Sequence, residues 1–386
     1  MNGRLGKIDM GLFAAILFLL GFGIVLVYSS SFALAHQRFG GADFFLSRQA
    51  FRAFLAILSL MVFINVDYHF FGKISGILFL VAAGMLLYVL FLPDSHAING
   101  AKRWITFGSI RFQVSDFARL VLILFVARKC EEAGPQIREW KSFLQNFIKI
   151  AIICVLVVLG PDFSSSVIIG SIGLAILFVS GAKIFHIAGL AASALPLMVL
   201  LVMRTPYRFN RVIGHINMSG RDEDLGYQAF QSLVGLGNGG LFGVGLGRGE
   251  QKYFYLPEPH TDFAFSILGE EIGFLGVMLI ISVFVYIIYK GMKIAMHAPD
   301  KMGQLMAFGF TFTLAVYLLI HTFVSTALVP TTGVPMPFLS YGGMSLIFTM
   351  MSMGILLNIS SQTKIPVKVK ESRAGLKRAG KRTRNK

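Results

Sequence analysis

Five carboxylates (Glu250, Glu258, Asp262, Glu270, Glu271), two cations (Arg248, Lys252) and His260 crowd into the stretch 226–276. Glycines at 226, 235, 237, 239, 240, 243, 245, 247 and 249 free its backbone for positive φ and for close approach to a ligand. Pro257 and Pro259 forbid a regular helix just before Asp262. From Phe263 to Tyr289 the chain is an apolar run, broken only by the Glu270-Glu271 pair and long enough to cross a bilayer. Asp262 is therefore expected at a membrane–water boundary. Partial desolvation there favours the proton-bound form of a carboxyl group, which suits a general base. The same position also suits an N-cap for the following helix, so both roles stand open on spacing alone.

Such residues need elements to hold them, and composition says which kind. The chain has 386 residues, 55% of them hydrophobic, with a mean hydropathy of +0.71. Its apolar residues come in long runs, the longest of 27 residues, the mark of a polytopic membrane protein. Ten spans are expected, near Met10–Tyr28, Phe51–Asn65, Ile74–Leu92, a fourth ending at Ala127, Phe147–Leu159, Val167–Ser180, Phe185–Met203, Phe263–Tyr289, Leu305–Val329 and Ser340–Ile359. The fold class expected is an all-α polytopic membrane protein of about ten transmembrane helices, with a large extracytoplasmic loop between spans seven and eight. A connection that long is expected to be functional. Residues 1–363 form the membrane domain and 364–386 a basic tail with ten Lys or Arg.

A net charge of +16 would suggest nucleic acid in a soluble chain. Here the cations gather between spans, with 21 on one side of the expected topology, which places both termini in the cytoplasm and excludes nucleic acid as a partner. Cys130 and Cys154 offer neither a disulfide framework nor a metal knuckle, and no ligand spacing is diagnostic of a metal. A divalent cation, Mg or Mn, fits the scattered carboxylates only loosely.

Charged residues elsewhere extend the candidate site. Lys102 and Arg103 sit among aromatics ahead of span four, and Asp116 and Arg119 at i, i+3 on one helix face are expected to neutralise each other. Asp162 closes span five, and Arg204, Arg208 and Arg211 open the long loop. Glu270 or Glu271, inside span eight, is expected to pair with a buried Arg such as Arg119.

The string LPEPHTDFAFSILGEEIGF, with GYQ and GLG before it and PTTGVPMPFLSYGG after it, closely resembles the SEDS family of cell-wall polymerases, which includes FtsW, RodA and a sporulation relative. GAKRW and FQVSDFAR resemble the family's GA-x-RW and FQPSE-x-AK, with Val114 for Pro, Asp116 for Glu and Arg119 for Lys. GPDFSSS stands for QPDLGT, so Asp162 carries over and Gly160 does not match; Arg211 matches the Arg of YR-x-x-R, and His321 stands where Asn is usual.

The resemblance implies that Asp262 is the catalytic residue of an inverting glycosyltransferase. Its substrate would be lipid II, whose 4-hydroxyl attacks a growing glycan on undecaprenyl pyrophosphate to give a β-linked peptidoglycan strand. Lys252 and Arg211, then Lys102 and Arg103, are the candidates for holding pyrophosphate, with Glu258, His260, Gln228 and Ser340 as further substrate contacts. Glu271, Glu270, Asp116, Arg119 and Asp162 are assigned to structure or activation. The implied partners are a class B penicillin-binding transpeptidase and other divisome proteins at the septal inner membrane, since GYQ, Gln251-Lys252 and YLPEPHTDF look closer to the division branch than to the elongation branch. Two other classes remain open. A lipid flippase would carry essential charges near the bilayer midplane and discontinuous helices, and a non-catalytic division scaffold would leave Asp262 without a purpose.

Overall fold

The computed structural model describes residues 7–93, 103–107, 110–216 and 225–363. Among them are twelve α-helices and one two-stranded hairpin: α1 Met10–Phe39, α2 Phe44–Asn65, α3 Tyr68–Leu90, β1 Trp104–Phe107, β2 Ile110–Gln113, α4 Val114–Ala133, α5 Trp140–Leu159, α6 Phe163–Ser180, α7 Ile184–Met203, α8 Pro206–Ile216, α9 Leu225–Gly239, α10 Ala264–Met296, α11 Lys301–Ser325 and α12 Met344–Gln362. The all-α expectation holds apart from the hairpin, whose antiparallel register pairs Trp104 with Gln113 and runs directly into α4. Lys102 and the tail 364–386 lie outside the described residues.

Local chemistry explains many of the boundaries. Asp9, Asp67, Asp162 and Asp300 each accept a backbone N–H in the first turn of α1, α3, α6 and α11, satisfying a donor that the helix cannot. Gly40 and Gly181 end α1 and α6 in the left-handed conformation that favours glycine.

Nine of the described helices are long and apolar enough to cross a membrane. The other 20-residue helix, α4, carries Asp116, Arg119, Arg128 and Lys129 and is nonetheless the core element. It packs against α3, α5, α6, α11 and α12, and its residues from Leu120 to Ala127 are all buried. By contrast, no residue of α7 is buried.

Several span ends differ from the sequence reading. The first helix continues beyond Tyr28 to Phe39 because Ser29, Ser30 and Ser31, though polar, face protein; Ser30 returns its hydroxyl to the Val27 carbonyl at 3.2 Å. The second begins at Phe44 rather than Phe51, where Phe39 and Phe44 stack at 3.6 Å across the turn.

The largest difference concerns the long connection after α7. It holds two helices, and α9 runs beside the first turns of α10, with the Ser232 and Ser266 hydroxyls in contact. Gly239 lies so close that a Cβ there would collide with the Gly269 carbonyl. Gly239→Ala should therefore cost about 1–3 kcal/mol through overpacking. It should lower the melting temperature of the purified protein, whereas Gly237→Ala, whose Cβ would meet nothing within 4 Å, should not.

Candidate functional site

The glycine-rich segment owes its path to a break in α10. At Gly273 the helix takes φ 67°, ψ −176°, which only glycine adopts without strain. The break exposes carbonyls above it and amides below it, and the loop satisfies both. Val244 and Gly245 donate to the Glu270 and Glu271 carbonyls at 3.0 Å, while Phe274 and Leu275 donate to Gly240 and Leu241 at 2.9 and 3.1 Å. Gly243, at φ 81°, has no room for a side chain against this junction. The segment that sequence reading assigned to an outer loop thus reaches about ten residues along α10, roughly 15 Å at a helical rise of about 1.5 Å.

The glutamate pair secures it there. The Glu270 carboxylate accepts the Glu250 and Gln251 amides at 2.9 and 3.2 Å. Glu271 accepts Lys252 Nζ at 2.7 Å and the Ser29 hydroxyl of α1 at 2.6 Å. The partner of Glu271 is therefore Lys252 and not Arg119, and the charged end of Lys252, 2% exposed, is committed to protein rather than presented to a pyrophosphate. Arg119 instead pairs with Asp116 at 3.2 Å, as the i, i+3 spacing predicts, and donates to the Tyr317 hydroxyl.

Asp262 ends the return of the loop. It is half-buried, and the N-cap of α10 is Phe263, with no side-chain cap bond. Among the described residues the Asp262 carboxylate accepts no hydrogen bond from the α10 amides, so the helix-capping alternative lapses. Gly333 borders the carboxylate, and a Cβ added there would lie 3.7 Å from Oδ2. Burial and the negative charge of Glu258 push the Asp262 carboxyl up to about 6, against the pull of Arg211 and Arg103.

Those four residues define the neighbourhood. Arg211 on α8 donates Nη1–H to the Thr331 carbonyl at 2.9 Å. Arg103 lies 3.7 Å from Asp162 and lines an open pocket of about 250 Å³ with Leu86, Val114, Ser115 and Gly160. Asp162 is held in turn by Gln113 at 3.1 Å and Ser115 at 3.0 Å while it caps α6. Glu258 is exposed on a strained turn, φ 50°, and accepts the Thr261 hydroxyl at 3.2 Å.

Two further candidates prove to be supports. His260 is buried between the rings of Phe45 and Tyr341, at 4.8 and 5.5 Å, and burial holds its imidazole below the usual range, in the neutral form. Ser340 donates to the Thr261 carbonyl at 2.7 Å and accepts the Met336 amide at 2.9 Å, leaving its hydroxyl no free capacity as a donor. Gln228 is half-buried on α9. Sequence reading missed Gly333, Thr331, Tyr341 and Ser29. Only Gly333, in a Pro-Thr-Thr-Gly-Val-Pro turn, carried a local signal.

A half-buried carboxylate with a raised pKa, with two arginines acting on it at one end of an apolar helical bundle, is the equipment of a membrane-embedded enzyme. Comparison with known proteins agrees. Residues 10–365 match the model of the FtsW/RodA/SpoVE cell cycle protein family. The chain is 36% identical over 362 residues to a probable peptidoglycan glycosyltransferase FtsW of Geobacter sp. (strain M18), covering 94% of this chain and 99% of that one. It is also 36% identical over 357 residues to stage V sporulation protein E of Bacillus subtilis (strain 168), covering 92% and 98%. Its fold matches the rod shape determining protein RodA of Thermus thermophilus with a TM-score of 0.70 at 24% identity, over 93% of this chain and 98% of that one. A chain of a peptidoglycan synthase complex matches at 0.73 and 23% identity, over 92% and 98%. The protein belongs to the FtsW/RodA/SpoVE family.

Proposed function

We infer that this chain is a peptidoglycan glycosyltransferase, with lipid II as substrate and Asp262 as general base. The observation that carries the reading is the Asp262 carboxylate, half-buried and free of any bond to the helix it precedes, with Arg211 and Arg103 acting on it. In the reaction, Asp262 takes the proton from the attacking sugar 4-hydroxyl as the oxygen bonds to the donor's anomeric carbon. The bond from that carbon to the pyrophosphate breaks, and the leaving phosphate is stabilised by the guanidinium groups.

A divalent cation would draw on substrate as well as protein. No group of three His, Cys, Asp or Glu with suitable placement occurs among the described residues. Mg²⁺ or Mn²⁺ would need substrate phosphates to complete its shell.

We place α4 as a tenth span, which puts both termini in the cytoplasm and Asp262 on the outer face, with 1–363 as one membrane unit and 364–386 as its tail. The division branch is favoured by relatives named FtsW, and a class B transpeptidase with other divisome proteins is the partner set that fits a strand-making enzyme. The discontinuous α10 is a feature expected of a flippase, but both edges of its break are bonded by the loop, leaving those groups unavailable to a headgroup.

The test is the full-length protein in proteoliposomes with labelled lipid II, assayed in one preparation for glycan strands and for translocation. Strands should form, and their rate should rise with pH through about 6, because the base must lose its proton to act. Translocation without strands would overturn the reading.

A further inference from the structure

His321 lies near the Asp262 end of α11 and is 1% exposed. Its Nδ1–H donates to the Val334 carbonyl at 3.0 Å, and its Nε2 has no partner among the described residues, so Nδ1 carries its polar role. Val334 follows Gly333, the residue that borders the Asp262 carboxylate. The turn 331–334 is thus fixed from two directions. Arg211 holds Thr331 from α8 at 2.9 Å, and His321 holds Val334 from within the bundle. Further along, Ser340 and Tyr341 tie the same connection to the Asp262 loop through the Thr261 and His260 carbonyls, each at 2.7 Å.

We propose that His321 is a positioning residue of the polymerase reaction, acting through Val334 and Gly333 to keep the turn pressed against Asp262. The proposal rests on the assignment of Asp262 as the base. Its physical content is that the turn carrying Gly333 borders one side of the carboxylate, and that a bond from the bundle keeps it there. Glu258 faces Asp262 from the same loop, Arg211 from α8 and Arg103 from the residue before β1, and none of these is held by His321 directly. Because Arg211 still holds Thr331, loss of the His321 bond should change the solvation of Asp262 more than the placement of the neighbouring charges.

Two substitutions separate the bond from the bulk. In Asn the amide Nδ2 stands two bonds from Cβ, as Nδ1 does in His, so His321→Asn can still donate to Val334. His321→Leu fills the space and cannot donate. Leaving the Val334 carbonyl unpaired loosens the turn, water reaches Asp262, and its carboxyl moves back toward the ordinary Asp value near 3.8.

With the full-length protein in proteoliposomes and lipid II as substrate, wild type and His321→Asn should share one rate–pH profile rising through about 6. His321→Leu should show its midpoint shifted down by half a unit or more, with kcat at pH 7 reduced about tenfold and KM within about twofold. Should His321→Leu fail to assemble, His321→Met, which is likewise unable to donate to Val334, tests the same bond and should shift the midpoint in the same direction. An unchanged midpoint and kcat in whichever of these two variants assembles would overturn the proposal, as would His321→Asn behaving like His321→Leu. Asp262→Asn run alongside tells this failure from that of the underlying reading, because an active Asp262→Asn would sink the base assignment itself.

Discussion

Asp262→Asn is expected to assemble and insert normally and to polymerise lipid II about 10²–10⁴ times more slowly than the parent protein, the usual loss when a general base is removed. The substitution keeps size and shape. Because Phe263 is the N-cap of α10 and Asp262 makes no capping bond, the amide breaks no cap. Stability should move the other way. A carboxyl whose folded pKa lies near 6, above its unfolded value near 3.8, opposes folding wherever it is ionised, and this penalty fades as pH falls below about 6. The neutral amide lacks the penalty, so at pH 7 the variant should melt at or above the temperature of the parent, while at pH 5 the difference should shrink. Purified protein in detergent and in proteoliposomes supplies both measurements. Near-normal strand synthesis would falsify the base assignment.

How much of this was legible beforehand depends on how local each signal is. The place of Asp262 at the mouth of an apolar helix follows from Pro257, Pro259 and the run after Phe263, all within a few residues. The Asp116–Arg119 pair follows from helical spacing, and the starts of α1, α3, α6 and α11 from their capping aspartates. What could not be read is whatever joins distant segments. Glu271 meets Ser29 across 242 residues of chain, and nothing in either neighbourhood names the other. Gly273 is one glycine among several in an apolar run. Its role as a break appears only once the loop 239–245 supplies partners for the backbone groups that it frees. Glycine and charge make the loop read as aqueous; in the structure its backbone is paired with α10 and Lys252 with Glu271. His260 and Ser340 looked like substrate contacts because polar residues in a distinctive motif invite that assignment, whereas ring packing and hydrogen bonds make them supports of the Asp262 loop.

Lys252 is where these two kinds of information conflict most directly, and it yields the other large expected effect. Read from sequence, Lys252→Ala would weaken pyrophosphate binding. Read from structure, removing either member of the Lys252–Glu271 pair strands a charge that is about 1–2% exposed, which typically costs about 3–5 kcal/mol. Lys252→Met and Glu271→Gln should therefore each give sharply reduced yield of folded protein, well beyond the loss from a surface lysine such as Lys293. The double variant should recover most of it. Removing both charges abolishes their desolvation cost together with their attraction, Met fills the space of the lysine stem, and the amide oxygen introduced by Glu271→Gln still accepts the Ser29 hydroxyl. Function then separates the two roles. If the pair only pins the glycine-rich loop to α1 and α10, polymerisation should return with stability, to within about tenfold of the parent enzyme. A double variant as stable as the parent but unable to bind lipid II would mean that Lys252 leaves Glu271 to meet the substrate, and the architectural assignment would be wrong.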